Sequence, residues 1–238
     1  MNSSSKLIIT IILLILVLFN PLLWALETIP LDEAVREGKV QVKISGLGGS
    51  TGDAILIKVK RKIPETLQLS LTPGTVFKST SGDVQNMIGS KIQGELIDET
   101  SYRPESEIYL NNDNELEYVI EAYCLDFYKS NPGTTDSFSL SQIDEHINNI
   151  IVAGEKAGYS NKIIQSAIWI DRDKVASSEL KSRFPVNDED IESAQELLKQ
   201  FDEIMTSPNE NGNDGSPSLY KGFTGHEEGG CFIINLNK

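Results

Sequence analysis

The segment Leu116-Glu-Tyr-Val-Ile-Glu-Ala-Tyr-Cys-Leu-Asp-Phe127 is the longest strand-like run in the sequence, and the turn-forming stretch Asn111-Asn-Asp-Asn114 precedes it. Successive side chains of a strand point to opposite faces, so the even-numbered residues of this run share one face. Glu117 and Glu121 lie on the odd-numbered face. We therefore expect the even-numbered face, which ends in Cys124, to point into the core.

The same alternation of apolar and polar residues recurs in shorter runs through residues 28–127. Such runs occupy residues 40–44, 54–59 and 67–71, and glycine or proline separates them. Residues 46–52 are rich in glycine but match neither a P-loop nor the dinucleotide-binding fingerprint, so they are predicted to form a hairpin turn. Short strands of this kind are typical of an antiparallel sandwich or barrel.

The spacing of apolar residues changes to a helical period after Asn131-Pro-Gly133. A first helix is predicted from the apolar positions between Leu140 and Ile151, with Ser139 or Ser141 as its N-cap and its end at Gly158. Further helices are predicted to begin near residues 160 and 187, and the third has acidic residues in its first turn, which suits the helix dipole.

These patterns together predict an α+β fold. Residues 28–127 form the β-rich region and 128–206 the helical region, with the helical insertion itself at about 139–206. A flexible loop follows at 207–222, and 223–238 contribute a C-terminal strand that closes the sheet. The expectation is one globular domain, 28–238, built as an antiparallel β-sandwich or barrel with that insertion.

Residues 1–25 have the pattern of a signal peptide or membrane anchor. Lys6 precedes an almost unbroken apolar run over residues 7–18, and the small residue Ala25 ends the segment. The remainder is therefore expected to be secreted or displayed at the cell surface. Any contact with a membrane is expected only through this segment, where it is not cleaved.

The formal net charge of −14 argues against nucleic acid as a partner. Binding to a phosphate backbone depends on a basic surface, and an acidic surface repels anionic membranes for the same reason.

No metal or cofactor site is predicted from the sequence. Residues 209–220 resemble a calcium loop, but Asp214 and Tyr220 stand where glycine and glutamate are needed. The histidines are His146 and His226, and His146 lacks the second histidine of a zinc-binding helix, so it is expected to be a solvated helix position. Catalytic residues are unassigned, and an exported hydrolase that uses acidic residues stays open.

Cys124 and Gln165 are the residues whose surroundings are most informative. Gln165 lies inside the apolar run Ile163-Ile-Gln-Ser-Ala-Ile-Trp-Ile170, where a buried amide must find hydrogen-bond partners. The chain has two cysteines, and in an oxidising compartment Cys124 and Cys231 are candidates for a disulfide. The purely structural alternative is that Cys124 is a free core cysteine and that Gln165 faces solvent or hydrogen-bonds to the backbone.

Two motifs resemble those of the thioester domains of bacterial surface adhesins, also called TQXA domains. The first is Tyr123-Cys124-Leu125, which Asp126 extends. The second is Gln165-Ser-Ala167-Ile168-Trp169. The resemblance covers roughly residues 118–171, and it extends to the order in which the two motifs occur.

The resemblance implies an internal thioester between Cys124 and Gln165. The cysteine sulfur would replace the amide nitrogen of the glutamine, and a partner amine could then become attached through Gln165. The implied function is surface binding or adhesion to an extracellular protein or another amine-bearing ligand, with self-catalysed thioester formation as its only reaction. The alternative is a non-catalytic exported β-rich binding or structural domain that a Cys124–Cys231 disulfide stabilises.

Overall fold

The computed structural model describes residues 27–206 and the short strand Phe232–Ile233. The predicted leader at 1–25, the predicted loop at 207–222, the calcium-like stretch, His226 and Cys231 lie outside the described residues. Within the described part of the chain, none of the helices is long and apolar enough to cross a membrane.

Most of the strands come first in the chain, and most of the helices follow them. The strands are β1 (Thr28–Pro30), β2 (Val40–Gly46), β3 (Thr51–Arg61), β4 (Leu67–Ser70), β5 (Thr75–Ser79), β6 (Met87–Asp98), β7 (Ser101–Pro104), β8 (Ile108–Leu110), β9 (Leu116–Cys124), β10 (Ser137–Ile143) and β11 (Phe232–Ile233). The helices are α1 (Leu31–Arg36), α2 (Glu145–Lys156), α3 (Asn161–Asp173), α4 (Ser177–Arg183) and α5 (Asp188–Thr206).

Six of these strands form a closed antiparallel barrel in the order β6–β5–β10–β2–β3–β9, and β9 then pairs with β6. A second, small sheet has the order β1–β4–β8. The predicted combination of antiparallel strands and helices is therefore confirmed, and the sheet takes the form of a barrel. Closure removes the exposed edges that an open sheet would have.

Strand β9 is hydrogen-bonded on both sides, to β3 and to β6. Its even-numbered residues from Tyr118 to Cys124 belong to the large barrel core together with Ile57, Phe77 and Met87. This confirms the expected inward direction of Cys124. Most of the odd-numbered face is buried as well: Tyr123 packs under the helices, Val119 packs against Tyr102 of β7, and Glu121 is only 6% exposed.

Helices α2, α3 and α5 cover the outer face of the barrel beside the end of β9. The apolar residues they bury there form one cluster with Tyr123 and Leu125 of the strand segment; they are Ile147, Ile150, Ile151, Ile164, Ala167, Ile168, Ala194, Leu197 and Phe201. The apolar spacing of the predicted first helix is therefore confirmed for Ile147, Ile150 and Ile151, which are all buried.

The predicted start of the first helix is wrong. Residues 139–143 belong to strand β10, which fills the gap in the barrel between β5 and β2. Helix α2 begins at Glu145, and the Asp144 carboxylate caps it by accepting a 3.1 Å hydrogen bond from the Ile147 backbone N–H. The backbone hydrogen bonds between β10 and β5 outweigh the helical spacing of Leu140 and Ile143. That spacing indicates a helix only when these two residues are taken together with the apolar residues that follow them.

The C-terminal strand joins the sheet of the N-terminal region, as predicted, but the predicted closing role is wrong. Strand β11 pairs with β7, and Phe232 lies opposite Tyr102. Strand β7 pairs in turn with the last residues of β6 and is not one of the six barrel strands. The barrel closes through β6 and β9 instead. Helices α1 and α4 were not predicted, because each is shorter than the window over which helical periodicity can be recognised.

Gly154 allows α2 to approach α3 closely. A methyl group added at Gly154 would lie 2.7 Å from Ile164 Cγ1 and 3.1 Å from Leu197 Cδ2. We expect Gly154→Ala to lower the free energy of unfolding by about 1–2 kcal/mol, because overpacking exceeds the gain in helix propensity. Urea denaturation measures this. Gly82→Ala is the control, since an added methyl there meets no atom within 4 Å; equal effects of the two changes would contradict the prediction.

Candidate functional site

The structure brings Cys124 and Gln165 together, although 41 positions separate them in the sequence. Cys124 is the last residue of β9, and Gln165 lies in the second turn of α3. Both side chains are completely buried. The prediction that Gln165 faces the strand carrying Cys124 is therefore confirmed.

The Gln165 carboxamide pairs with both backbone polar groups of Cys124. Its Oε1 accepts a hydrogen bond of 2.8 Å from the Cys124 N–H, and its Nε2 donates one of 2.8 Å to the Cys124 carbonyl oxygen. The Cys124 N–H also lies 2.9 Å from the carbonyl oxygen of Ser50, so it is shared between two acceptors. The carboxamide carbon, which joins these two polar atoms, is thus held against the cysteine.

Within the part of the chain that the structure describes, the Cys124 sulfur has no disulfide partner, and it lies in an apolar setting. This sulfur lies 3.2 Å from the sulfur of Met87, which is opposite it on β6. Burial raises the pKa of the Cys124 thiol, and the nearby Asp126 carboxylate raises this pKa further. The thiol is therefore protonated at neutral pH, and any reaction of the sulfur requires that its proton move as the new bond forms.

Helix α3 is attached to the β9 segment at both of its ends. At its start, Asn161 Oδ1 accepts a 3.3 Å hydrogen bond from the Tyr123 hydroxyl. At its end, the Asp173 carboxylate accepts a 2.7 Å hydrogen bond from the Phe127 backbone N–H. These contacts fix the helix along the strand, and Gln165 lies between them.

The other residues of the two motifs support this arrangement. Leu125, Ala167 and Ile168 are buried in the apolar layer between the barrel and the helices. Asp126 Oδ2 accepts hydrogen bonds of 2.8 Å from both the backbone N–H and the side-chain amide of Asn86. Trp169 packs edge-on against Phe127 and Phe184, at centroid distances of 5.2 and 5.0 Å.

An open cleft of about 600 Å³ lies beside the Cys124–Gln165 pair. Leu125 and Asn86 form part of its wall. Leu125 directly follows Cys124 in the chain, and Asn86 directly precedes Met87. Arg172 of α3 borders the cleft and bridges Asp144, at 3.4 Å, and Asp126, at 4.0 Å. The cleft wall therefore includes the residue that follows Cys124 in the chain.

A buried carboxylate cluster on the outer face of β9 was not predicted from the sequence. Glu121 accepts a 3.2 Å hydrogen bond from Tyr123 and one from Gln93, and Lys91 lies 3.6 Å from it. Lys91 also lies 3.5 Å from Glu155 of α2. These groups come from distant parts of the chain, and only the odd-numbered position of Glu121 within an apolar strand pointed to them.

Among the described residues, no three histidine, cysteine or acidic side chains are arranged to hold a metal ion. His146 is exposed on α2, as expected of a solvated helix position, and its Nε2 lies 2.8 Å from Asp171 Oδ2.

Comparison of the chain with protein-family models, with curated proteins and with solved structures finds no match.

Asp53 of β3 lies opposite Glu121 in the barrel sheet. Burial raises the pKa of Asp53 above its ordinary value of 3.8, and the Glu121 charge raises it further. The folded state therefore holds a proton on Asp53 at a pH where the unfolded chain has lost it. It follows that folding is favoured as the pH falls through the raised pKa and is penalised above that pKa.

We expect Asp53→Asn to stabilise the fold at pH 7, because asparagine removes the buried charge and keeps an acceptor for hydrogen bonds. The advantage over the wild type should shrink as the pH falls from 7 to the ordinary pKa of 3.8, because the folded wild type takes up a proton on Asp53 before the unfolded chain does. Urea denaturation at the two pH values measures the difference. Asp202→Asn removes the same charge from an exposed position, and a pH dependence identical to that of Asp53→Asn would contradict the prediction.

Proposed function

We propose that this chain is an exported surface-binding domain whose Cys124 and Gln165 form an internal thioester, through which a partner amine becomes covalently attached. The observation that carries the proposal is the pairing of the Gln165 carboxamide with the backbone of Cys124 by two 2.8 Å hydrogen bonds. The motif resemblance is an independent line of support, since it rests on the amino-acid sequence alone.

Thioester formation is a single acyl transfer in this proposal. The Cys124 sulfur attacks the Gln165 carboxamide carbon, and a carbon–sulfur bond replaces the carbon–nitrogen bond. The nitrogen departs as ammonia and takes up the proton that the thiol loses. The Cys124 N–H, already 2.8 Å from Oε1, stabilises the negative charge that develops on this oxygen during the attack.

The buried location supports both halves of the chemistry. Rigid elements hold the Gln165 carboxamide against the backbone of Cys124, which reduces the entropic cost of the reaction. Complete burial of Cys124 and Gln165 excludes water, which would otherwise hydrolyse the thioester. A primary amine, such as a lysine side chain of a partner, would approach from the adjacent cleft, attack the acyl carbon and release the thiol.

The alternative function is a non-catalytic domain with a Cys124–Cys231 disulfide, and the position of β11 bears on it. Phe232 pairs with Tyr102, which is opposite Leu96 at the far end of β6 from Met87. Glu95, which precedes Leu96, pairs with Tyr118 on β9, and Met87 pairs with Cys124; Tyr118 and Cys124 are six residues, or about 20 Å, apart along the strand. Because a disulfide needs Cα atoms within about 7 Å of each other, the position of Phe232 favours the thioester.

Export completes the proposal. A thioester of this kind is useful where it meets foreign amines, and the predicted leader at 1–25 would deliver the domain to such a place. The net charge of −14 is suited to a protein partner that is rich in lysine and not to nucleic acid.

We expect the intact mass of the freshly purified chain to be lower than the calculated mass by one ammonia molecule. Methylamine should restore mass at Gln165 and release a thiol that can be titrated. Peptide mapping by mass spectrometry measures both changes. Cys124→Ala and Gln165→Ala should abolish them, because each removes one partner of the bond.

Cys231→Ala is the matched control, and it should leave the ammonia loss and the methylamine adduct unchanged. A mass deficit of two hydrogens that disappears on reduction and in Cys231→Ala would instead establish the disulfide and refute the thioester.

A further inference from the structure

The cleft beside the buried pair has two ends of opposite charge. Lys78 of β5 lines one end, and Asp144 and Glu145 at the start of α2 line the other. The Asp144 backbone N–H donates a 2.9 Å hydrogen bond to the carbonyl oxygen of Gly74, which is four residues before Lys78. At about 3.3 Å per residue of extended chain, the basic and acidic ends are about 13 Å apart.

Lys78 lies at the end of the cleft that is nearer to the reactive pair. Cys124 pairs with Met87 on β6, and Met87 pairs with Phe77 on β5, the residue before Lys78. Two strand spacings, about 10 Å, therefore separate the backbone of Cys124 from that of Phe77. Phe77 belongs to the barrel core, so the next side chain, Lys78, points to the outer face of the barrel.

The positive charge of Lys78 has no counterion among the described residues, and the side chain is exposed. Arg172, the other cation of the cleft wall, is already bound by Asp144 at 3.4 Å and Asp126 at 4.0 Å. Asp126 in turn pairs with Lys129 at 3.6 Å. The reactive end of the cleft thus presents an uncompensated positive charge in a chain whose net charge is −14.

Apolar side chains also line the cleft. Leu125 is buried, Val76 is partly buried, and Ile143 is 44% exposed. A lysine side chain packs its methylene groups against such a surface while its amino group stays accessible. The cleft volume of about 600 Å³ is in the range of pockets that hold small ligands. The cleft therefore suits a lysine side chain together with a charged neighbour.

We infer that the partner's reactive lysine has an acidic residue next to it in the chain, whose carboxylate is bound by Lys78 while the lysine enters the cleft. This inference rests on the proposed thioester and names the kind of segment that the site selects. The attack itself is the one already described: an amide bond replaces the thioester, and the proton of the amine passes to the Cys124 sulfur.

The charge of the whole chain and the charge of Lys78 act at different ranges. The net charge of −14 attracts lysine-rich partners in general. At physiological ionic strength charges farther apart than about 8 Å are largely screened, so this attraction does not distinguish one lysine of a partner from another. Lys78 is in contact range of the neighbours of a lysine in the cleft. It attracts an acidic neighbour and repels a basic one, which gives specificity of sequence.

Three acetylated and amidated tripeptides test the inference, each with a central lysine between two glutamates, two glutamines or two arginines. We expect the glutamate peptide to label Gln165 of the wild type about 5-fold faster than the glutamine peptide, and the arginine peptide to be slowest. The net charge alone would give the reverse order. Lys78→Glu should reverse the order, because it places a negative charge at the same position. Mass spectrometry measures the rates on the fraction of chains that carries the thioester.

Lys60→Glu is the matched control, because it makes the same change in net charge at an exposed position outside the cleft wall. Lys60 is nine residues along β3 from the partner of Tyr123, or about 30 Å away. Lys60→Glu should keep the wild-type order of the three peptides. Equal rates for the peptides, fastest labelling by the arginine peptide, or the same change of order in Lys60→Glu would overturn the inference.

Methylamine carries no flanking charge, so it should label Lys78→Glu and the wild type at rates within about 2-fold of each other. A larger difference would show that Lys78 acts on the amine itself and not on a neighbouring carboxylate, which also overturns the inference.

Cys124→Ala separates this inference from the thioester, because it cannot form one. In an NMR titration it should bind the glutamate tripeptide about 5-fold more tightly than the glutamine tripeptide, with the largest shifts at backbone amides near Lys78. No such preference would refute the inference whether or not the thioester forms. If the preference is present but the wild type shows neither ammonia loss nor a methylamine adduct, the thioester fails and the carboxylate site at Lys78 stands.

Discussion

The structure depends on β9 being enclosed on every side. Its backbone pairs with β3 and β6, its inner face belongs to the barrel core, and the C-terminal end of its outer face lies under α2 and α3. A strand in this position cannot move without breaking two ladders and two apolar layers. The end of such a strand is a rigid place from which to hold a side chain, and Cys124 is at that end.

The Cys124–Gln165 contact links this strand to the helical layer by polar bonds in an otherwise apolar setting. A buried amide must satisfy its donor and its acceptor, and here one residue of β9 satisfies both. This requirement fixes the rotation of α3 about its axis, since another face of the helix would leave the amide unpaired. Apolar contacts alone would tolerate small rotations of the helix, because they have no directional preference.

Much of the fold could be predicted from local patterns. The alternation of apolar and polar residues in 116–124 predicted the inward direction of Cys124. The apolar residues on either side of Gln165 in the sequence predicted its buried position. The patterns failed where a distant partner decided the outcome. The spacing of Leu140 and Ile143 suits a helix, and only the position of β5 and β2 shows that a strand is needed between them. The last strand was assigned to the barrel because no local pattern shows that β6 and β9 already close it. The Glu121 cluster was missed for the same reason, since its members come from separate strands and a helix.

The place of β10 in the barrel has a consequence for how the protein is made. Residues 137–143 are the last barrel strand in the chain, yet they lie between β5 and β2, which are synthesised much earlier. During translation the edges of β5 and β2 therefore stay unpaired until about residue 143 has emerged, and unpaired edges of nascent chains invite association with other chains. A nascent chain of this protein thus needs to be kept apart from its neighbours for longer than one whose strands are made in the order in which they pair.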